Sequence, residues 1–166
     1  FCKPRPQFIG RGYYQCAGYR LPTEAEWEFA ARSGSKGPLP LPALSKSKKH
    51  RLNRIGWTLN NSIVSYKGGF VCSQKKKQKR LCGPHPVGKK EPNLLGAYDM
   101  LGNVYEWVFD TYQSYSFKTV KDPAVGGFGS RVQRGCGWIT KPHLCRSATR
   151  FYGSASMRSN RVGFRP

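Results

Sequence analysis

The sequence predicts an α+β domain with little regular secondary structure. Three observations carry that expectation. Nineteen Gly and twelve Pro among 166 residues argue against long elements, because Gly adds backbone freedom and Pro removes an amide donor. One segment, "RLPTEAEWEFAARSG", has a full helix signature. "RVQRGCGW", "LCRSATRFYG" and "RVGFRP" read instead as short strands or turns. The length is that of one domain. Apolar residues make up only 38%, but four Trp, nine Tyr and nine Phe offer large surfaces to bury. No run of about 18 apolar residues is present, so no membrane span is expected. The chain starts at Phe1 with no signal-peptide pattern, and its start reads as a cut end.

The helix is expected over residues 24–33. Thr23 is an N-cap, and Glu26 three residues on completes a capping box. Glu24, Glu26 and Glu28 suit the positive end of the helix dipole. Trp27, Ala30 and Ala31 fall on one face, and Gly34 suits the stop. Residues 34–54 then read as a basic, poorly ordered loop, since Pro38, Pro40 and Pro42 oppose both helix and paired strand. "IGWTLNNSIVSY" holds one short strand. Residues 72–82 carry a charge run with no apolar face, and read as a second basic, poorly ordered loop. A strand is expected at Arg131–Trp138, its glycines pointing to a close backbone approach.

Charge is unevenly placed. The formal net charge is +21, and no Asp or Glu occurs from Phe29 to Lys90, a stretch with fifteen Lys and Arg. Six of the eight acids lie within Glu24–Glu28 and Asp99–Asp110. The basic run reads as a solvated surface or as a site for an anionic partner. No nucleic-acid motif accompanies it, so nucleic acid is not the expected partner. Six cysteines occur and no CxxC, which disfavours zinc knuckles and thioredoxin-like chemistry. Cys72 and Cys82 can close the lysine-rich loop in an oxidising compartment, or both remain thiols.

The stretch "YDMLGNVYEW", residues 98–107, is the most unusual. Asp99 and Glu106 can offer carboxylates, and Gly102 and Val104 carbonyls, to a hard cation such as calcium. The competing reading has Asp99 and Asn103 capping a turn while Glu106 takes a buried Arg.

Taken together, "GYRLPTEAEWEFAAR", "HPVGKKEPNLLGAYDMLGNVYEWVFD", "RVQRGCGW", "CRSATR" and "VGFR" occur in that order. This set resembles the formylglycine-generating enzyme family, also called sulfatase-modifying factor domains. The resemblance covers about Tyr19–Arg32 and His85–Arg165. It implies a single domain over 1–166 with a C-type-lectin-like fold, and an N-terminal part of the family domain absent. It also implies calcium at Asp99 and Glu106 by side chain and at Gly102 and Val104 by carbonyl. The family's other calcium site has no counterpart in the acid-free region.

The family's enzymes use copper held by two cysteines a few residues after a glycine-rich strand. Here no Cys lies between Ile139 and Leu144. Cys136 precedes Trp138, and Cys145 stands where the resemblance implies a disulfide-forming Cys whose usual partner position is Ala31. Gly137, Tyr105 and Arg161 also depart from the family's active site. Copper is therefore not expected, and no catalytic residue is assigned. A related iron-dependent sulfoxide synthase is disfavoured by only three His, His50, His85 and His143, with no HxxxH. The alternative remains an oxidoreductase of the family acting on protein or thiol substrates.

Other relatives of the fold bind ligands through segments between the same motifs. The expected ligand-binding residues are Tyr105, Trp138, Thr140, Lys141, His143, Arg146, Arg150, Phe151, Tyr152, Arg158 and Asn160, with Met157 exposed beside them. That mix of aromatic and polar side chains suits a recognition surface. Arg146 and Arg150 have a second reading, as partners of the helix acids. The family-unlike segments 34–54 and 72–82 read either as a true insertion or as a degraded copy.

Overall fold

The computed structural model describes residues 14, 18–40, 51–75, 78–115 and 118–166, with the backbone alone for 73–75, 78 and 79. In chain order the elements are α1 (Glu24–Arg32), α2 (Arg51–Ile55), β1 (Phe70–Lys75), β2 (Gln78–Cys82), β3 (Tyr105–Thr111), β4 (Arg131–Arg134), β5 (Arg150–Gly153) and β6 (Val162–Phe164). Strands β1 and β2 form a two-stranded sheet, and the rest form a four-stranded sheet in the order β5-β4-β3-β6. Strand β3 runs antiparallel to β4 and parallel to β6.

The capping box is present. Glu26 N donates to Thr23 Oγ1 at 3.2 Å, and Thr23 N donates to Glu26 Oε2 at 2.8 Å. The helix stops at Arg32 because Ser33 turns left-handed (φ 42°) and Gly34 follows (φ 86°). Trp27 and Ala31 enter a core with Leu52, Ile55, Met100, Leu101, Val108, Val132, Cys136 and Cys145.

Beneath α1 lies a charged layer. Arg134 on β4 is fully buried, at 0% exposure. It donates to Glu24 Oε1 (3.1 Å), to Glu28, and to the Ser147 carbonyl (2.7 Å). Its guanidinium also lies 5.1 Å from the Trp27 ring centroid. Arg150 on β5 grips both oxygens of Glu24 at 2.6 and 2.7 Å. Asp110 on β3 accepts the first helical amide, Glu24 N, at 2.7 Å, where the helix dipole favours an anion. The acids concentrated in two short segments of sequence thus meet across the helix–sheet contact.

Four expectations are corrected. Within 34–54, Arg51–Ile55 is helical, because Leu52 and Ile55 reach the core from one face; residues 41–50 lie outside the described residues. The 72–82 segment, expected as a poorly ordered loop, is most of a hairpin, because Cys72 and Cys82 are joined and β1 pairs with β2. The strand expected to Trp138 ends at Arg134, since Gly135 (φ 94°) and Cys136 (φ 63°) turn the chain out of the ladder. "IGWTLNNSIVSY" holds a lone bridge, Ile63 to Cys82.

Replacing Arg134 with Met should cost about 3 kcal/mol in urea denaturation, because the glutamates lose a buried partner. A second expectation concerns acid. The Arg20 guanidinium, at 2.7 Å from each Glu26 oxygen, holds that carboxyl below its usual range. The stabilisation is complete above the unfolded Glu value of about 4.3 and is lost as pH falls through the lowered folded value. The Tm gap between wild type and Glu26→Gln should therefore close on acidification.

Candidate functional site

The 98–107 loop is built by left-handed residues. Asp99 (φ 55°), Gly102 (φ 87°) and Asn103 (φ 63°) curl the chain back onto residues 56 and 57. A Cβ on Gly102 would stand 2.5 Å from the Trp57 backbone, so only Gly fits that approach. Asn103 fixes the neighbouring loop, accepting His85 N at 2.9 Å and donating to His85 O at 3.0 Å. Trp57 stacks on His85 at 3.7 Å, and Lys90 Nζ stands 3.7 Å from the Trp57 ring centroid. Burial lowers the Lys90 pKa against the pull of Asp99, and burial likewise lowers that of His85.

The two carboxylates of this loop meet different surroundings. Asp99 Oδ2 accepts Gly88 N at 2.7 Å, while its Oδ1 is buried without a hydrogen-bond partner. That orphaned oxygen fits a cation. Glu106 accepts Trp27 Nε1 at 2.7 Å and Arg165 at 2.7 and 3.1 Å. Burial works against the Arg165 cation, but Glu106 outweighs it and its pKa is raised. Glu106 thus takes an Arg, as the competing reading had it, though Arg165 is half-exposed rather than buried, and a metal at all four positions would compete with Arg165. Among the described residues no three His, Cys, Asp or Glu side chains gather as a metal cluster.

The C-terminal loops form a face beside it. Cys136 and Cys145 are joined, closing the loop 137–144. Inside it, Tyr105 Oη lies 2.7 Å from Thr140 Oγ1, which accepts Gly137 N at 3.1 Å. Burial raises the Tyr105 pKa. Phe151 meets Tyr105 edge-on at 4.6 Å. Lys141, His143 and Arg146 are exposed on this loop, and Met157, Arg158 and Asn160 on the next. The loops are tied where Trp138 Nε1 donates to Asn160 O at 3.4 Å. No Asp or Glu occurs from Pro123 to Pro166, so exposed cations dominate this face.

Several expected contact residues sit elsewhere. Trp138 is 0% exposed and Thr140 6%, so both support the face from below. Phe70 stacks on Trp138 at 5.4 Å, which covers the ring. Arg150 is committed to Glu24, as its second reading held. Tyr152 lies on the opposite sheet face from Phe151, since neighbouring strand residues alternate, and it packs on Tyr112 at 4.4 Å. Sequence reasoning missed Arg134, the Trp57–His85–Lys90 stack and the Cys136–Cys145 pairing. Only Arg134 left a usable signal, as a cation in a strand facing a chain segment rich in scarce acids.

A family model described as the sulfatase-modifying factor enzyme 1-like domain matches residues 6–166. The chain is 35% identical over 159 residues to the inactive C-alpha-formylglycine-generating enzyme 2 of Mus musculus, covering 92% of this chain and 44% of that protein. It is 32% identical over 159 residues to the formylglycine-generating enzyme of Streptomyces coelicolor, covering 92% and 48%. Among solved structures, Treponema denticola variable protein 1 superposes with a TM-score of 0.67 at 30% identity, covering 90% of this chain and 47% of that one. PvdO from Pseudomonas aeruginosa gives 0.66 at 31%, covering 87% and 50%. The chain thus spans half or less of the length of these relatives.

Loop closure between Cys136 and Cys145 should contribute about 2–3 kcal/mol. Paired Cys136→Ala and Cys145→Ala substitutions should lower stability to urea by that amount. Alkylation before reduction should leave both wild-type cysteines unlabelled in a peptide mass map.

Proposed function

We propose that this chain, which belongs to the sulfatase-modifying factor family, is a non-catalytic recognition domain that binds a ligand or protein partner through its C-terminal loop face. One observation carries the reading. The segment after β4 has a single pair of cysteines, Cys136 and Cys145, and the two are bonded to each other. Copper chemistry of the formylglycine-generating type needs thiolates free to bind the metal and the substrate. The frame around that chemistry is kept, the cysteine positions that would perform it hold other residues, and the pair that is present is committed to structure. Similarity to relatives named as inactive supports the same reading.

The contact surface consists of Lys141, His143, Arg146, Arg158 and Asn160 around the half-buried Tyr105–Phe151 pair. Its partner is anionic by charge complementarity, since no acid is near in sequence to offset these cations. Calcium at Asp99, with Gly102, Val104 and Glu106, is part of the proposal. The unpartnered Asp99 Oδ1 supports it, and Arg165 would have to release Glu106.

Incubation with copper, oxygen and a CxPxR peptide should leave the peptide thiol mass unchanged. Conversion would establish the oxidoreductase alternative instead. Calcium should raise the wild-type Tm and leave that of Asp99→Ala unmoved; an identical response from both proteins would remove calcium from this loop.

A further inference from the structure

We propose that Asn60 is an acceptor for an N-linked glycan, a modification site at the tip of a surface turn. The site uses no calcium and does not rest on the recognition reading of the C-terminal loop face.

The sequence supplies the chemical pattern. Asn60-Asn61-Ser62 is an Asn followed two positions on by a hydroxyl residue, with no Pro between, which is what N-glycosylation needs. The other five asparagines are followed at that position by Ile55, Ile63, Leu95, Tyr105 and Val162, so the pattern occurs once. A triplet of this kind is modified to lasting effect only where the folded chain leaves room for a bulky hydrophilic group.

The fold leaves that room at one residue. Thr58 and Ser62, at the two ends of the turn, are each 0% exposed, while Asn60 between them is exposed. Asn61 N and Ser62 N close the turn by donating to Thr58 O at 3.0 and 2.9 Å. Asn61 secures it further, its Oδ1 accepting Thr58 N at 2.7 Å and its Nδ2 donating to Gly56 O at 3.0 Å. The second asparagine therefore holds the turn, and the amide of the first can carry a sugar without breaking any of these bonds. Ser62 Oγ donates to Trp138 O at 2.8 Å. The hydroxyl is thus available to a transferase only on the unfolded chain, so modification precedes folding.

The surroundings suit a glycan. Ile63, Tyr66 and Val71, in the stretch that follows, stay exposed, and a hydrophilic cover keeps such apolar surface soluble. Leu59 N donates to Thr140 O at 3.1 Å, which seats the turn against the loop that carries exposed Lys141. A glycan on Asn60 stands at the border of that loop. Two disulfides among the described residues place folding in an oxidising compartment, which is where such transfer occurs.

The donor class is an oligosaccharide linked through diphosphate to a polyisoprenoid lipid. The Asn60 amide nitrogen attacks the anomeric carbon. A carbon–nitrogen bond forms, the anomeric bond to diphosphate oxygen breaks, the lipid diphosphate leaves, and the amide proton passes to the transferase. Nothing is oxidised or reduced.

The full chain, directed into the secretory pathway of cultured animal cells by a cleavable signal peptide, should gain one glycan-sized mass step that peptide-N-glycosidase F removes. Digestion in heavy-oxygen water should label residue 60 alone. Asn60→Gln and Ser62→Ala should lose the step completely, whereas Ser62→Thr and Asn61→Gln should keep it. Because transfer acts on the unfolded chain, these results do not depend on the stability of the variants. The secreted glycoprotein and Asn60→Gln should share one Tm, as expected of an exposed attachment point. Acylation of Lys141 should be slower in the glycoprotein than after enzymatic removal of the sugar, with Lys121 unchanged. No mass step in the wild type, a step that survives Asn60→Gln, or retention of the glycosylated chain in cells that secrete Asn60→Gln overturns the proposal. Equal acylation of Lys141 in the two forms overturns the placement beside the loop. None of these measurements reads partner binding, so failure here stays distinguishable from failure of the recognition reading.

Discussion

The fold depends on one buried cation. Taking the Arg134 guanidinium out of water costs several kcal/mol unless charge and hydrogen bonds are returned to it. Glu24 and Glu28 return the charge, the Ser147 carbonyl accepts a further bond, and the Trp27 ring covers one face. Three of those groups come from the first two turns of α1, and the fourth from the loop before β5. Arg134 therefore fixes helix, central strand and C-terminal loops relative to one another. With little apolar content available, a polar layer holds the helix to the sheet where a larger domain would use aliphatic packing.

That arrangement has consequences on the surface. Acids drawn inward toward Arg134, Arg150 and Arg165 leave the outer charge almost uniformly positive. The C-terminal loops carry exposed Lys141, His143, Arg146 and Arg158 over a buried floor. Trp138 and Thr140 belong to this floor. A paired Cys136 and Cys145 hold the loop closed from beneath.

The same segment shows how much of the family's motif set serves to hold shape. The turn at 98–107, the capped helix and the VGFR end are all used to hold shape: Arg165 locks Glu106, and Asn103 locks His85. The Cys136–Cys145 bond adds to the same framework.

Local signals were legible in the sequence because their causes are local. The capping box of Thr23 and Glu26, the stop at Gly34 and the turn around Gly102 each depend on residues within a few positions. The ordered motifs carried the family and with it the α+β fold. Long-range partners were not legible. Arg134 finds Glu24 across 110 positions and Arg150 finds it across 126, and nothing in spacing announces such pairs. The strands beside the lysine-rich run were not legible because an apolar alternation is missing; the Cys72–Cys82 disulfide and the Phe70–Trp138 contact anchor them instead. Exposure was likewise hidden: Trp138, Thr140 and Arg150 have the side chains of a binding surface, but packing places them below or behind it. The sequence by itself determined the fold and the inventory of charge. Only the tertiary structure decided which charges are spent inside and which remain for a partner, because that choice is made by burial.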